Sequence, residues 1–221
     1  MNGFIFDLDG VIVDTAKYHY QAWKQLANKI GVEFSLEQNE QLKGVSRVDS
    51  LKKILHWGQK TISGEEFMAL MTEKNDQYLG LIETMNEDEV LPDVSKVLNY
   101  LSKKHQKIAL GSASKNAVGI LNKVNLTPFF DAIIDGNQVT HAKPDPEVFL
   151  NAAKQINIQP EQCVVFEDAV AGIQAANAAN MVSIGIGDAH VLHEADYVFK
   201  DFTEMSLEFI DKLINPKTVC N

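Results

Sequence analysis

The sequence predicts an α/β protein, a doubly wound parallel sheet with helices on both faces and a helical unit inserted after the first strand. Three observations carry this. From Pro92 onward, short apolar runs that read as buried strands alternate with stretches of helical period. The chain also opens on a strand-like run, Phe4-Ile5-Phe6, that ends at two aspartates. Between Thr15 and Glu87 the patterns are helical throughout. Residues 1–14 and 88–221 are therefore expected to form one core domain, and residues 15–87 a helical cap joined to it by two linkers.

Size and charge narrow the function. A chain of 221 residues can bury one good core and still carry a small second module. Its net charge of −10 opposes a nucleic-acid backbone as partner, because that partner needs a basic face. A phosphorylated small molecule needs only a local positive pocket. No apolar run reaches membrane-spanning length, and the start lacks the basic end and cleavage site of a signal peptide. Cys163 sits in an apolar run and Cys220 in the tail, so a disulfide between them is not expected. A reducing, cytoplasmic monomer follows as the expectation.

The first strand ends in Asp7-Leu8-Asp9-Gly10. Strand side chains alternate, so Asp7 and Asp9 leave the strand on the same side, and Gly10 allows a sharp turn. Two carboxylates roughly 4 Å apart repel by about 4 kcal/mol at an effective dielectric of 20. A cation or a shared proton would relieve that; otherwise this is an ordinary acidic turn. His19, Trp23, Leu26 and Ile30 then form a helical stripe that Gly31 ends. Thr15, His19 and Trp23, spaced by four, stack on one face, as core packing or as part of a site beside Asp9. Gln41 to Ser50 reads as a glycine-containing loop entering a helix that stops at Gly58. With Ser46, Arg47 and Ser50 close to its start, that helix end is either an anion seat or a solvated terminus. Ser63-Gly64-Glu65-Glu66 reads as a capping box before the stripe Phe67, Leu70, Met71, Tyr78, Leu81 and Ile82. Lys74 lies inside that stripe. Its ammonium must snorkel to water or aim at a negatively charged site.

Beyond Pro92, Val94, Val97, Leu98 and Leu101 mark a helix, and Lys107 to Leu110 a strand running into Gly111-Ser112-Ala113-Ser114-Lys115-Asn116. Phe130 to Ile134 reads as a strand, and Lys143-Pro144-Asp145-Pro146 as the opening of a helix. Cys163 to Phe166 is a strand ending at Glu167-Asp168, with Gly172 in the helix behind it. Met181 to Gly185 and Tyr197 to Phe199 complete the set. In a parallel sheet, Asp7, Asp9, Ser112, Lys143, Glu167 and Asp168 would all stand along one edge. Four carboxylates there call for a metal, and an all-oxygen set suits Mg²⁺. A hydroxyl and a lysine opposite it would cradle a phosphoryl group.

Asp7 to Thr15, Ser112, Lys143-Pro144 and Glu167-Asp168 resemble the four-motif signature of the haloacid-dehalogenase-like superfamily. The whole chain is similar to its β-phosphoglucomutase family. Asp14-Thr15-Ala16, Ala22-Trp23-Lys24, Asn39 to Arg47, Lys74-Asn75-Asp76 and Ser112 to Asn116 carry that likeness, while Gly111, His141-Ala142 and the tail depart from it. The resemblance implies a sugar-phosphate mutase in which Asp7 is the nucleophile and Asp9 the general acid and base. It implies Mg²⁺ held by Asp7, the Asp9 carbonyl, Glu167 and Asp168. Ser112, Ala113 and Lys143 would hold the transferring phosphoryl group. Arg47 with Ser114, Lys115 and Asn116 would grip the other phosphate, and His19, Trp23, Leu42, Gly44, Val45, Ser46, Ser50 and Lys74 would complete the substrate site from the cap. A phosphatase or a non-catalytic sugar-phosphate sensor on the same scaffold remain the alternatives.

Overall fold

A computed structural model describes residues 1–215. Cys220 and its expected lack of a disulfide lie outside the described residues, whereas Cys163 is buried with its thiol pushed up to about 12 by burial.

The described strands form one sheet: β1 (Gly3–Phe6), β2 (Lys107–Gly111), β3 (Ala132–Ile134), β4 (Cys163–Glu167), β5 (Val182–Ile186) and β6 (Tyr197–Phe199). Their order is β3-β2-β1-β4-β5-β6 and every pair is parallel. β1 is central because it is apolar on both faces. Phe4 and Phe6 point into one core and Ile5 into the other, as strand alternation requires. On the first face α5 (Val94–Lys103), α6 (Ala117–Lys123) and α9 (Leu207–Ile214) cover the sheet, and Phe6 stacks on Phe166 at 4.5 Å. On the second face α7 (Glu147–Gln155) and α8 (Val170–Ala178) pack through alanines, Val148 and Phe149.

Between β1 and α5 run α1 (Ala16–Lys29), α2 (Leu36–Glu40), α3 (Arg47–Trp57) and α4 (Gly64–Ile82). Trp23, Leu26, Leu51, Ile54 and Leu70 give them a small core of their own. The two connections to the sheet run side by side. Val13 bridges Val90, Asp14 N donates to Glu89 O at 3.0 Å, and Leu91 N donates to Ile12 O at 3.0 Å.

Several local expectations are corrected. β3 begins at Ala132 instead of Phe130, because Thr127–Phe129 is a 3₁₀ turn and Phe130 packs edge-on against Phe6. The Asp131 amide donates to the Ile108 carbonyl at 2.7 Å, and its side chain accepts from the Ile108 amide at 2.9 Å. Helix α7 starts at Glu147, four residues after Lys143. Ser63 accepts from the Glu66 amide without the reciprocal bond, while Ser35 and Gln38 form the complete capping box of α2, a helix too short to show a period.

Candidate active site

Parallel pairing alone sets the first ingredient. β1, β2 and β4 are adjacent and in register, so their carboxyl ends deliver Asp7, Ser112 and Glu167 to one edge. Asp7 extends the ladder by donating its amide to Phe166 O at 2.9 Å. Lys143 reaches in from the loop before α7. Its Nζ donates to Asp7 Oδ1 at 2.5 Å, Glu167 Oε2 at 2.9 Å and Gly111 O at 3.0 Å. Asp7, Lys143 and Glu167 are all buried. Burial works against the Lys143 charge, but Asp7 and Glu167 outweigh it and raise its pKa.

One lysine cannot neutralise the carboxylates around it. Oxygens of Asp7, Glu167 and Asp168 all lie within 4.8 Å of one another. Burial holds all three carboxyls above their usual range, with Lys143 opposing it at Asp7 and Glu167 and Lys43 opposing it at Asp168. Buried carboxylates that resist ionisation are short of positive charge, and a set of hard oxygens fits a divalent cation. The Asp9 side chain is not part of this group.

Asp9 instead turns toward the helical unit. Its amide donates to Asp7 Oδ2 at 3.0 Å, and Thr15 Oγ1 donates to its Oδ1. His19 Nε2 stands 3.7 Å from the same oxygen, and His19 Nδ1 is 3.1 Å from Lys74 Nζ. Burial would raise the Asp9 pKa, but His19, Thr15 and Lys74 outweigh it and lower it. Lys74 does not snorkel. It is 3% exposed, with its ammonium 4.7 Å from the Trp23 and Tyr78 ring centres. Burial first, then Arg47, drop its pKa to about 7, with Asp9 opposing. His19 is lowered by burial and by Lys74. One carboxylate is thus kept ready to ionise while the bases facing it are kept from charging easily.

The other wall is polar and cationic. Arg47 opens α3, Lys115 lies on the core loop after β2, and both line a cavity of about 510 Å³. That loop is held by its own hydroxyls: Ser112 Oγ accepts from Ser114 N at 3.1 Å, and Ser114 Oγ from Asn116 N at 3.3 Å. Asn116 Nδ2 then donates to Asn75 Oδ1 at 3.3 Å, linking core to helical unit. Ser46 serves chiefly as the cap of α3: its hydroxyl accepts from Asp49 N and donates to Asp49 Oδ2.

Of the residues singled out from sequence, Asp7, Asp9, His19, Trp23, Leu42, Gly44, Val45, Ser46, Arg47, Ser50, Lys74, Ser112, Ala113, Ser114, Lys115, Asn116, Lys143 and Asp168 all line this cavity. Glu167 is fully buried behind Lys143. Sequence reasoning missed Lys43, whose Nζ is 3.5 Å from Asp168 Oδ2, although its segment was noted. It also missed Glu147, whose carboxylate accepts from the Thr140 and His141 amides at 3.0 and 2.7 Å and fixes the loop that carries Lys143. Those amides, chiefly, bring the Glu147 pKa down to about 2. Only its position at a helix start could have hinted at this.

The chain is 39% identical to the β-phosphoglucomutase of Bacillus subtilis (strain 168), over 95% of this chain and 94% of that protein. It is 33% identical to the fructose-1-phosphate phosphatase of Escherichia coli (strain K12), over 83% of this chain and 95% of that one. The crystal structure of a β-phosphoglucomutase from Clostridium difficile superposes with a TM-score of 0.93 at 42% identity, covering 98% of each chain. A family model described as haloacid dehalogenase-like hydrolase matches residues 1–180. With the aspartate pair, serine, lysine and acidic pair all at one sheet edge, the chain belongs to the haloacid dehalogenase-like hydrolase family.

Proposed function

We propose that this protein interconverts β-D-glucose 1-phosphate and β-D-glucose 6-phosphate through β-D-glucose 1,6-bisphosphate; its relatives from B. subtilis and C. difficile are named β-phosphoglucomutases. Asp7 is the nucleophile and carries the phosphoryl group as an aspartyl phosphate. In the first half-reaction the C6 hydroxyl of glucose 1-phosphate attacks that group while Asp9 takes its proton. The bisphosphate then turns round, and Asp7 takes the phosphoryl group from C1 while Asp9 returns the proton to the departing oxygen. Lys143, Ser112 and the Ala113 amide hold the transferring oxygens. Arg47, Ser114, Lys115 and Asn116 hold the phosphate at rest. His19 and Lys74 set the charge state of Asp9, and residues 15–87 act as a cap whose closure excludes water.

Asp7, the Asp9 carbonyl, Glu167 and Asp168 are the groups to hold Mg²⁺. When bound it offsets negative charge on the transferring phosphoryl group.

The observation that carries the proposal is the two-ended cavity. An acidic, lysine-supported end faces reacting phosphorus, and a separate cationic wall of Arg47 and Lys115 suits a second phosphate. A hydrolase has no use for the second. The phosphatase reading is kept by the E. coli relative. A coupled assay for glucose 6-phosphate from β-glucose 1-phosphate, with phosphate release read in parallel, decides between them. Isomerisation outpacing release, abolished by chelator and restored by Mg²⁺, is expected. Release without isomerisation makes the protein a phosphatase.

We further propose that it works as a cytoplasmic monomer. The buried thiol of Cys163 supports a reducing compartment, and no described helix is long and apolar enough to cross a membrane.

A further inference from the structure

The helical unit touches the acidic edge through one residue that the chemistry above leaves unused. Lys43 Nζ lies 3.5 Å from Asp168 Oδ2 and 2.8 Å from Glu40 Oε2. The Glu40 side chain is 61% exposed and that of Asp168 only 9%. One ammonium is therefore shared between a solvated carboxylate of its own unit and a largely enclosed carboxylate across the interface. The backbone fixes this approach. Gly44 has φ +69°, and a β-carbon there would stand 3.0 Å from that of Ala169.

We propose that Lys43 competes with the divalent cation for Asp168, acting as a counter-ion supplied by the cap when the metal is absent and retreating to Glu40 when it is bound. This rests on the metal reading above. Among the described residues of the core, only Lys143 faces Asp7 and Glu167, so the set is short of positive charge until the cap brings Lys43. A metal ion held by Asp168 would lie within a few ångströms of that ammonium. Two cations in a half-dry site repel, and the repulsion grows as water is excluded. A neutral donor would only steady the carboxylate; an ammonium must leave or weaken the metal. Glu40 gives it somewhere to go with a small rotation of its side chain. Cap contact and metal occupancy are thereby set against each other at one oxygen.

The test is calorimetric titration of Mg²⁺ into the whole protein without sugar phosphate, for the parent, Lys43→Met and Lys43→Arg. Lys43→Met should bind Mg²⁺ about three- to tenfold tighter, Lys43→Arg should match the parent, and the gap should narrow as salt rises. Circular dichroism verifies the fold, and Lys43→Gln replaces Lys43→Met if the latter misfolds. Equal affinity in the parent and the neutral variant overturns the inference and leaves the metal site standing. Weaker binding in the neutral variant also overturns it and makes Lys43 a support that orients Asp168. Absence of Mg²⁺ binding in the parent overturns both this inference and the metal reading.

Discussion

Asp7 and Asp9 are two residues apart, yet their surroundings push them in opposite directions. Asp7 is raised, chiefly by burial, with Lys143 opposing; Asp9 is lowered because His19, Thr15 and Lys74 outweigh its burial. A nucleophile must be ionised, so Asp7 needs further positive charge beside it, whereas Asp9 is already held as a carboxylate able to take a proton. Asp7→Asn should abolish turnover with the circular dichroism unchanged, since an amide attacks phosphorus poorly; activity within tenfold of the parent would sink the assignment. Asp9→Asn should still bind the bisphosphate but transfer about a hundredfold or more slowly in single-turnover measurements. Transfer at the parental rate would make Asp9 structural. Lys74 allows a stability test whose sign follows from linkage. Its pKa falls from 10.5 to about 7 in the fold. Between those values the unfolded chain binds the extra proton, so this group's contribution to stability rises with pH across the window and is poorest below 7. Lys74→Met should therefore gain most over the parent at or below pH 7, with the gain fading toward pH 10.5, read from urea midpoints. A gain independent of pH would mean that the ammonium is not desolvated.

At the scale of elements, the site depends on how closely backbone passes under side chains. Gly172 of α8 lies beneath Glu167: a β-carbon there would fall 2.0 Å from Glu167 Cδ. Glu167 is fully buried and bonded to Lys143, so it cannot step aside without disturbing that contact. Gly172→Ala should thus displace Glu167 and weaken Mg²⁺ binding by about ten- to a hundredfold, measured calorimetrically. Unchanged affinity would mean that α8 shifts instead. The sequence placed Gly172 behind this strand end but could not say which side chain it must clear. Strand ends were readable because β1 and β4 are apolar runs stopped by charge, and parallel pairing then aligns them without further information. β3 was read two residues too long because Phe130 and Asp131 look strand-like, yet one packs on Phe6 and the other bonds backbone by its side chain. Lys43 and Glu147 were not legible. Each works by reaching a partner far along the chain or folded back onto its own loop, and no periodicity records that.

For the whole molecule, the central fact is that both units line the one cavity. Asp7, Lys143 and the acidic pair belong to the sheet, whereas His19, Lys74 and Arg47 belong to the inserted helices. The units meet at the site through Thr15 to Asp9, Asn116 to Asn75 and Lys43 to Asp168, and behind it through Lys17 and Tyr18 to Glu89, Lys123 to the Glu83 carbonyl, and Ala22, Tyr78 and Ile82, which join the core on one face of the sheet. Arg47 tests that arrangement. A mutase must hold its bisphosphate by either end, because the intermediate turns round between half-reactions. The phosphate at rest therefore needs a cation from the far wall, and Arg47 reaches it only when the helical unit lies over the sheet. A guanidinium–phosphate pair is bidentate and charge-assisted, contributing about 1.5–3 kcal/mol in a closed site. Losing it should slow mutase flux by roughly ten- to two-hundredfold. Acetyl phosphate has no second phosphate, so phosphorylation of Asp7 by that donor should hardly change. Arg47→Ala should thus lose isomerisation far more than phosphoenzyme formation, with both read on one preparation. Equal losses would assign Arg47 to the fold or the metal edge. No loss in either assay would leave it a solvated charge at the start of α3, and a cavity with one working phosphate end is the cavity of a phosphatase.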